Sequence, residues 1–370
     1  MPPRSFILPI LALAAICATS VYKLAVRPRV DEIPVGFAEA ALVQKTHIHG
    51  TPLRTRYTAV APIDFLLSML VAVFAPGVAG WDPQYRLQQI YFVCQVFAIC
   101  CVWTVEAHRA SCRRRVIGYN GVVALVYQTT GSAIWMPIYY IAHTWVFAGD
   151  ESGYFGQGRH IRASEANALL PALITGYLVP TVAMYFPWSD WEATQIAIAV
   201  WQAAPFWPNL LVRVLSLGRT QPARDRKEES GAAPLNRVYF LAGAVCFAVH
   251  VGFLYACLTS NDPRVSLASV LLPDETAYRR DAAQGLLWIF QWDFFGCFLS
   301  TLVWSWVGVA RAQRAVGEEV TLSGILASGL AIAAASLLTG PGTAIAAAWY
   351  WMENKTAHLR GTADGKDKVM

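Results

Sequence analysis

Residues 85–147 read YRLQQIYFVCQVFAICCVWTVEAHRASCRRRVIGYNGVVALVYQTTGSAIWMPIYYIAHTWVF. Two apolar runs, Tyr85 to Ala107 and Gly118 to Phe147, flank a short loop with four arginines, Arg109, Arg113, Arg114 and Arg115. Each run has the roughly 20 residues needed to cross a bilayer core of about 30 Å. The first carries Glu106 and His108 near its end, and the second carries Pro137, Tyr139, Tyr140 and His143. Polar groups at such depth are costly and need a physical reason.

Runs of this kind recur along all 370 residues. The chain is 56% hydrophobic and 14% charged, with mean hydropathy +0.40. Soluble domains have about 25% charged residues. The deficit extends over the whole chain, so the fold class is all-α, a polytopic membrane bundle of eight or nine transmembrane helices. Residues 1–352 form the membrane domain, and residues 353–370 form a charged, disordered tail. Net charge +5 is spread over short loops. That fits charge-biased membrane loops and excludes the single basic face of a nucleic-acid binder. The cysteines show no metal-ligand spacing and no disulfide framework.

Nine runs can be drawn: 5–26, 59–80, 85–107, 118–147, 167–188, 191–217, 238–259, 282–309 and 320–351. Prolines interrupt the fifth (Pro171, Pro180) and sixth (Pro205, Pro208), and Gly340-Pro341-Gly342 breaks the ninth. Gln195, Gln202 and Asn209 recur every seven residues and share one helix face. The segment 218–237 is the most charged and reads as a loop.

Asp64, Glu106 and Asp293 lie in or at the ends of apolar runs. Burial disfavours a charged carboxylate, so such an acid can keep its proton near neutral pH and donate it. Each has a plainer reading. Asp64 can cap or pair at an interface, and Glu106 can pair with Arg109 three residues on. Asp293 lies about twelve residues into its run with no cation near it in sequence. Trp288, Trp292 and Phe295 lie on one side of the same helix, with Phe294 and Phe298 on the adjacent side, and aromatic faces attract cations. An acid beside them can protonate an olefin or epoxide and leave a carbocation against π-density; ordinary packing is the competing account. Trp103, Tyr139, Tyr140 and His143 are candidates for the same chamber, with Arg109 in support. The sequence has no P-loop, no HExxH, no GxSxG and no aspartate-rich diphosphate motif.

Asp64 after Pro62, Arg86-Leu-Gln-Gln-Ile-Tyr91, Trp103-x-x-Glu106-x-x-Arg109 and Gly131-x5-Pro137-x-Tyr139-Tyr140-x-x-His143 resemble fungal integral-membrane terpene cyclases of meroterpenoid pathways. The likeness covers mainly residues 60–147 and is nearer the longer ascofuranone and macrophorin type than the shorter seven-span type. The resemblance implies proton-initiated, metal-free cyclisation of a farnesylated aromatic, with no cofactor and no metal. Asp64, Glu106 and Asp293 are its candidate acids. The implied partners are a lipophilic prenylated small molecule and membrane lipids, with no nucleic acid, in the endoplasmic reticulum. A transporter or receptor for a small apolar solute is the alternative, since proline-broken helices and a polar stripe also suit a solute path. The cyclase reading expects the three acids to open onto one aromatic chamber.

Overall fold

The computed structural model describes residues 7–113, 115–217 and 232–360; most of the charged 218–237 segment lies outside them. Those residues form helices and connecting loops, with no strand beyond an isolated Thr46–Pro52 bridge. The helices used below are α1 (Ile7–Val30), α2 (Ala61–Ala79), α3 (Pro83–His108), α4 (Asn120–Thr130), α5 (Ser132–Val146) and α6 (Ala163–Tyr185). They continue with α7 (Trp191–Trp201), α8 (Trp207–Leu217), α9 (Ala232–Thr259), α10 (Ala282–Ala315), α11 (Leu322–Thr339) and α12 (Pro341–Lys355).

Seven of these, α1, α2, α3, α6, α9, α10 and α11, are long and apolar enough to cross a membrane. The chain is an integral membrane protein. Helix α3 is the hub, with 83% of its apolar window buried, whereas the window of α11 is 0% buried and faces outward. Fully buried glutamines tie α3 to its neighbours. Gln89 Nε2 donates to the Phe74 carbonyl (3.2 Å), and Gln95 Nε2 donates to the Cys246 carbonyl (2.8 Å). Interhelical bonds of this kind hold helices together where lipid supplies no hydrophobic drive.

Three of the nine apolar runs are not continuous helices. The run 118–147 breaks at Gly131, whose φ of +100° suits glycine. The run 191–217 breaks between Trp201 and Trp207, where Pro205 cannot donate a helical hydrogen bond. The fifth run stays helical through Pro171 and Pro180 and absorbs the disturbance as a π-turn at Ile174–Leu178. The ninth splits at Gly340 as its glycines suggest, and Pro341 opens α12.

The expected tail boundary is displaced. Glu353 is helical and fully buried, and the described chain continues to residue 360. The charges that mark Glu353 as tail in sequence are neutralised by partners distant along the chain. Residues 361–370 lie outside the described residues.

Candidate active site at two broken helices

Four of the irregular backbone segments converge. A cavity of about 270 Å³ is lined by Tyr127 to Ser132 at the α4–α5 break and by Trp201 and Pro205 at the α7–α8 break. Leu24, in a π-turn of α1 (Tyr22–Val26), and Tyr177, in that of α6, also line it. Interrupted helices are tolerated within a bilayer where they line a cavity, and π-turns concentrate at functional sites.

The wall is aromatic. Phe290 meets Phe74 at 5.3 Å between ring centroids and Phe92 at 6.2 Å. Trp201 extends the surface, 5.2 Å from Phe74 and 6.2 Å from Tyr177. Tyr177 and Trp201 tie their polar tips to the Val93 carbonyl (2.8 Å) and Thr181 Oγ1 (2.9 Å). The rings are thereby fixed as surfaces against which positive charge is stabilised.

Asp293, from α10, is the one carboxylate in this wall among the described residues. Its Oδ1 accepts from the Ala133 amide (2.7 Å) and from Ser132 Oγ (3.0 Å), both in the first turn of α5. Neither bond uses Oδ2. The acid thus lies at an apolar, π-rich hollow with one oxygen anchored.

The other two acids stand apart from the cavity. Asp64 Oδ1 accepts from Thr58 N (2.6 Å), Thr58 Oγ1 (2.9 Å) and Tyr57 N (3.0 Å), clamping the preceding loop onto the first turn of α2. Glu106 belongs to a fully buried network. It accepts from Arg109 Nε (2.7 Å), the Tyr154 hydroxyl (2.6 Å) and Trp349 Nε1 (3.3 Å). Arg109 also pairs with Glu353 (2.7 Å), as does Arg159 (2.7 Å). The single chamber expected for Asp64, Glu106 and Asp293 does not form: Asp64 is satisfied by Tyr57 and Thr58, and Glu106 by Arg109, Tyr154 and Trp349.

The aromatic candidates likewise lie outside the cavity lining. Trp103 packs on Tyr139 (4.3 Å) and donates to the Tyr140 hydroxyl (3.2 Å), while Tyr140 stacks on Trp304 (4.5 Å). His143 sits against Trp304 and Tyr154 beside the Glu106 network. Trp288 stacks on Tyr278 (4.9 Å), and Lys23 Nζ lies 4.4 Å from the Trp292 ring. Phe295 packs against Phe294 (5.7 Å). Sequence reading missed Phe74, Phe92, Tyr127, Tyr177, Trp201 and Phe290. The available signal was the pair of broken runs, whose breaks mark the cavity.

Glu106, Cys112 and His143 bring potential metal-ligand atoms within 4.8 Å of one another. The Glu106 oxygens already accept three hydrogen bonds, and Arg109, fully buried at 2.7 Å, opposes a further cation there. The donor set therefore fits a hydrogen-bonded ion network better than a metal.

The CtvD domain family model matches residues 5–354. Terpene cyclase ctvD of Aspergillus terreus is 26% identical over 288 residues, covering 73% of this chain and 79% of that one. Terpene cyclase janA of Penicillium janthinellum is 27% identical over 284 residues, covering 74% and 75%. The FAD-dependent monooxygenase verC1 of Penicillium polonicum is 22% identical over 317 residues, which are 84% of this chain but 38% of that longer one. No solved structure matches. With nearly its whole length matched, the chain belongs to the CtvD-domain family and is a terpene cyclase.

Proposed function

We propose that the chain cyclises a prenylated aromatic, in the endoplasmic reticulum membrane, by protonating its epoxide or terminal olefin from Asp293. The observation that carries this reading is the position of Asp293, the sole acid among the described residues that line an aromatic cavity. A buried carboxyl favours its protonated form, so it can serve as an acid. Ser132 and Ala133 hold Oδ1, and in this reading Oδ2 carries the proton.

The reaction balances as an isomerisation. The proton passes from Oδ2 to the epoxide oxygen, whose C–O bond breaks and keeps its electron pair on oxygen. Olefin π-electrons close the ring onto the cationic carbon. The final cation loses a proton to solvent and Asp293 regains one from solvent, so the acid is restored and mass is unchanged. Phe74, Phe92, Tyr177, Trp201 and Phe290 present π-faces to the travelling charge, and their apolar surface keeps water from quenching it. The verC1 relative is consistent with an epoxide, because it joins a segment like this chain to a protein named as an FAD-dependent monooxygenase. Transport has no comparable observation in its favour.

The test supplies membranes containing the chain with a farnesylated phenol and, separately, its terminal epoxide. Cyclisation gives a product of equal mass without added magnesium and in the presence of EDTA. In D2O, olefin protonation leaves one non-exchangeable deuterium on carbon, and epoxide opening leaves none there. Failure to convert either compound, or arrest by EDTA, refutes the proposal.

A further inference from the structure

Helix α5 begins at the cavity wall because the chain breaks at Gly131. In a continuous helix from 120 to 146, the amides of Ser132 and Ala133 would bond the carbonyls of Gln128 and Thr129. The break removes those partners and leaves N-terminal donors free of the helix ladder. Ala133 N and Ser132 Oγ are instead directed at Asp293 Oδ1, at 2.7 and 3.0 Å. Gly131 makes the approach feasible: a Cβ there would lie 3.1 Å from Leu24 Cδ1 and 3.4 Å from Asp293 Oδ1, on a backbone with φ +100°.

We propose that this turn takes up the negative charge created on Asp293 when its proton leaves, and that Ser132 is a positioning residue for the cyclisation. The inference rests on the reading of Asp293 as the acid. Protonating an epoxide or olefin requires a strong acid, and the conjugate base forms in an apolar wall where water cannot solvate it. Two directed donors and the positive end of the α5 dipole stabilise that anion more than the neutral acid. The donors are preorganised, so they need no rearrangement as charge develops. A cap that served only the fold of α5 would stabilise the helix without changing the proton-transfer step. The two roles therefore separate in kinetics.

The experiment compares wild type, Ser132→Ala, Ser132→Cys and Asp293→Asn, purified in detergent, with the terminal epoxide of a farnesylated phenol as probe. Rates are taken per folded molecule, with folding followed by thermal melting. For Ser132→Ala, kcat falls about ten- to a hundred-fold, KM stays within about two-fold, and the basic fall-off of the rate–pH profile moves to higher pH. The pH movement follows because one fewer donor favours the ionised carboxylate. Ser132→Cys, near-isosteric with a weak S–H donor, shows the same movement and keeps the test valid if Ser132→Ala does not fold. Wild-type kcat and pH profile in the foldable Ser132 variants, with Asp293→Asn inactive, overturn this inference and leave the acid assignment standing. Wild-type turnover in Asp293→Asn overturns both.

Discussion

Replacing Glu353 with glutamine separates a buried network from a solvated tail. Glu353 Oε2 accepts from Arg109 Nη2 and Arg159 Nη2, each at 2.7 Å, and all three side chains are at most 1% accessible. Glu106 and Glu353 carry two negative charges against the two of Arg109 and Arg159. Glu353→Gln keeps the shape of the side chain and removes one negative charge, leaving the cluster with a net positive charge out of water. Breaking a buried ion pair from one side costs about 3–5 kcal/mol, because the remaining charge stays desolvated. The two contacts share one carboxylate, so the cost is counted once. At about 2–4 °C per kcal/mol, the apparent melting temperature falls on the order of 10 °C. The assay is fluorescence-detected melting of wild type and variant in the same detergent, with turnover per folded molecule measured alongside. Turnover is preserved, since the network does not line the cavity. Melting within about 2 °C of wild type refutes the reasoning and returns Glu353 to the solvent.

Other expectations are equally specific. Asp64→Asn weakens the clamp on Tyr57 and Thr58, lowering the denaturation midpoint while leaving kcat per folded molecule unchanged. Phe290→Ala or Trp201→Leu widens the cavity wall and removes π-surface; product analysis should show less cyclised material and more water-quenched or truncated products, whereas Trp288→Leu, outside the wall, leaves the product ratio intact. His47, in the loop before α2, is buried, and that burial holds its ring down at about 4. The folded state thus refuses a proton that the unfolded chain accepts near 6.5, so the His47 contribution is complete above about 6.5 and is lost as pH falls toward 4. The loss is about 3 kcal/mol, and acid-side melting curves of His47→Gln should lack this part of the slope.

Much of the bundle is legible in the sequence because span length and charge scarcity report directly on the bilayer. The Gly340 break is legible because Gly-Pro-Gly carries local backbone information. Gly131 is harder to read, because Gly-Ser within an apolar run is compatible with either a helix or a break; tertiary contact with Leu24 and Asp293 selects the break. Asp293 stands out because no cation lies near it in sequence. Its partner, the first turn of α5, is about 160 residues away, and no local pattern encodes that pairing. The same distance hides the cavity wall, whose rings come from α2, α3, α4, α6, α7 and α10. Trp288 and Trp292 are misleading for the opposite reason. They neighbour Asp293 in sequence, yet contacts with Tyr278 and Lys23 direct them toward a different cluster.

The central claim is that Asp293 delivers the proton, and turnover of Asp293→Asn beside Glu106→Gln measures it most directly. With the terminal epoxide of a farnesylated phenol as probe and protein amounts matched by folded fraction, Asp293→Asn loses turnover by about 10²- to 10⁴-fold, the range expected when a positioned acid is removed. Any Glu106→Gln molecules that fold retain turnover within about ten-fold. Undiminished cyclisation by Asp293→Asn contradicts the account.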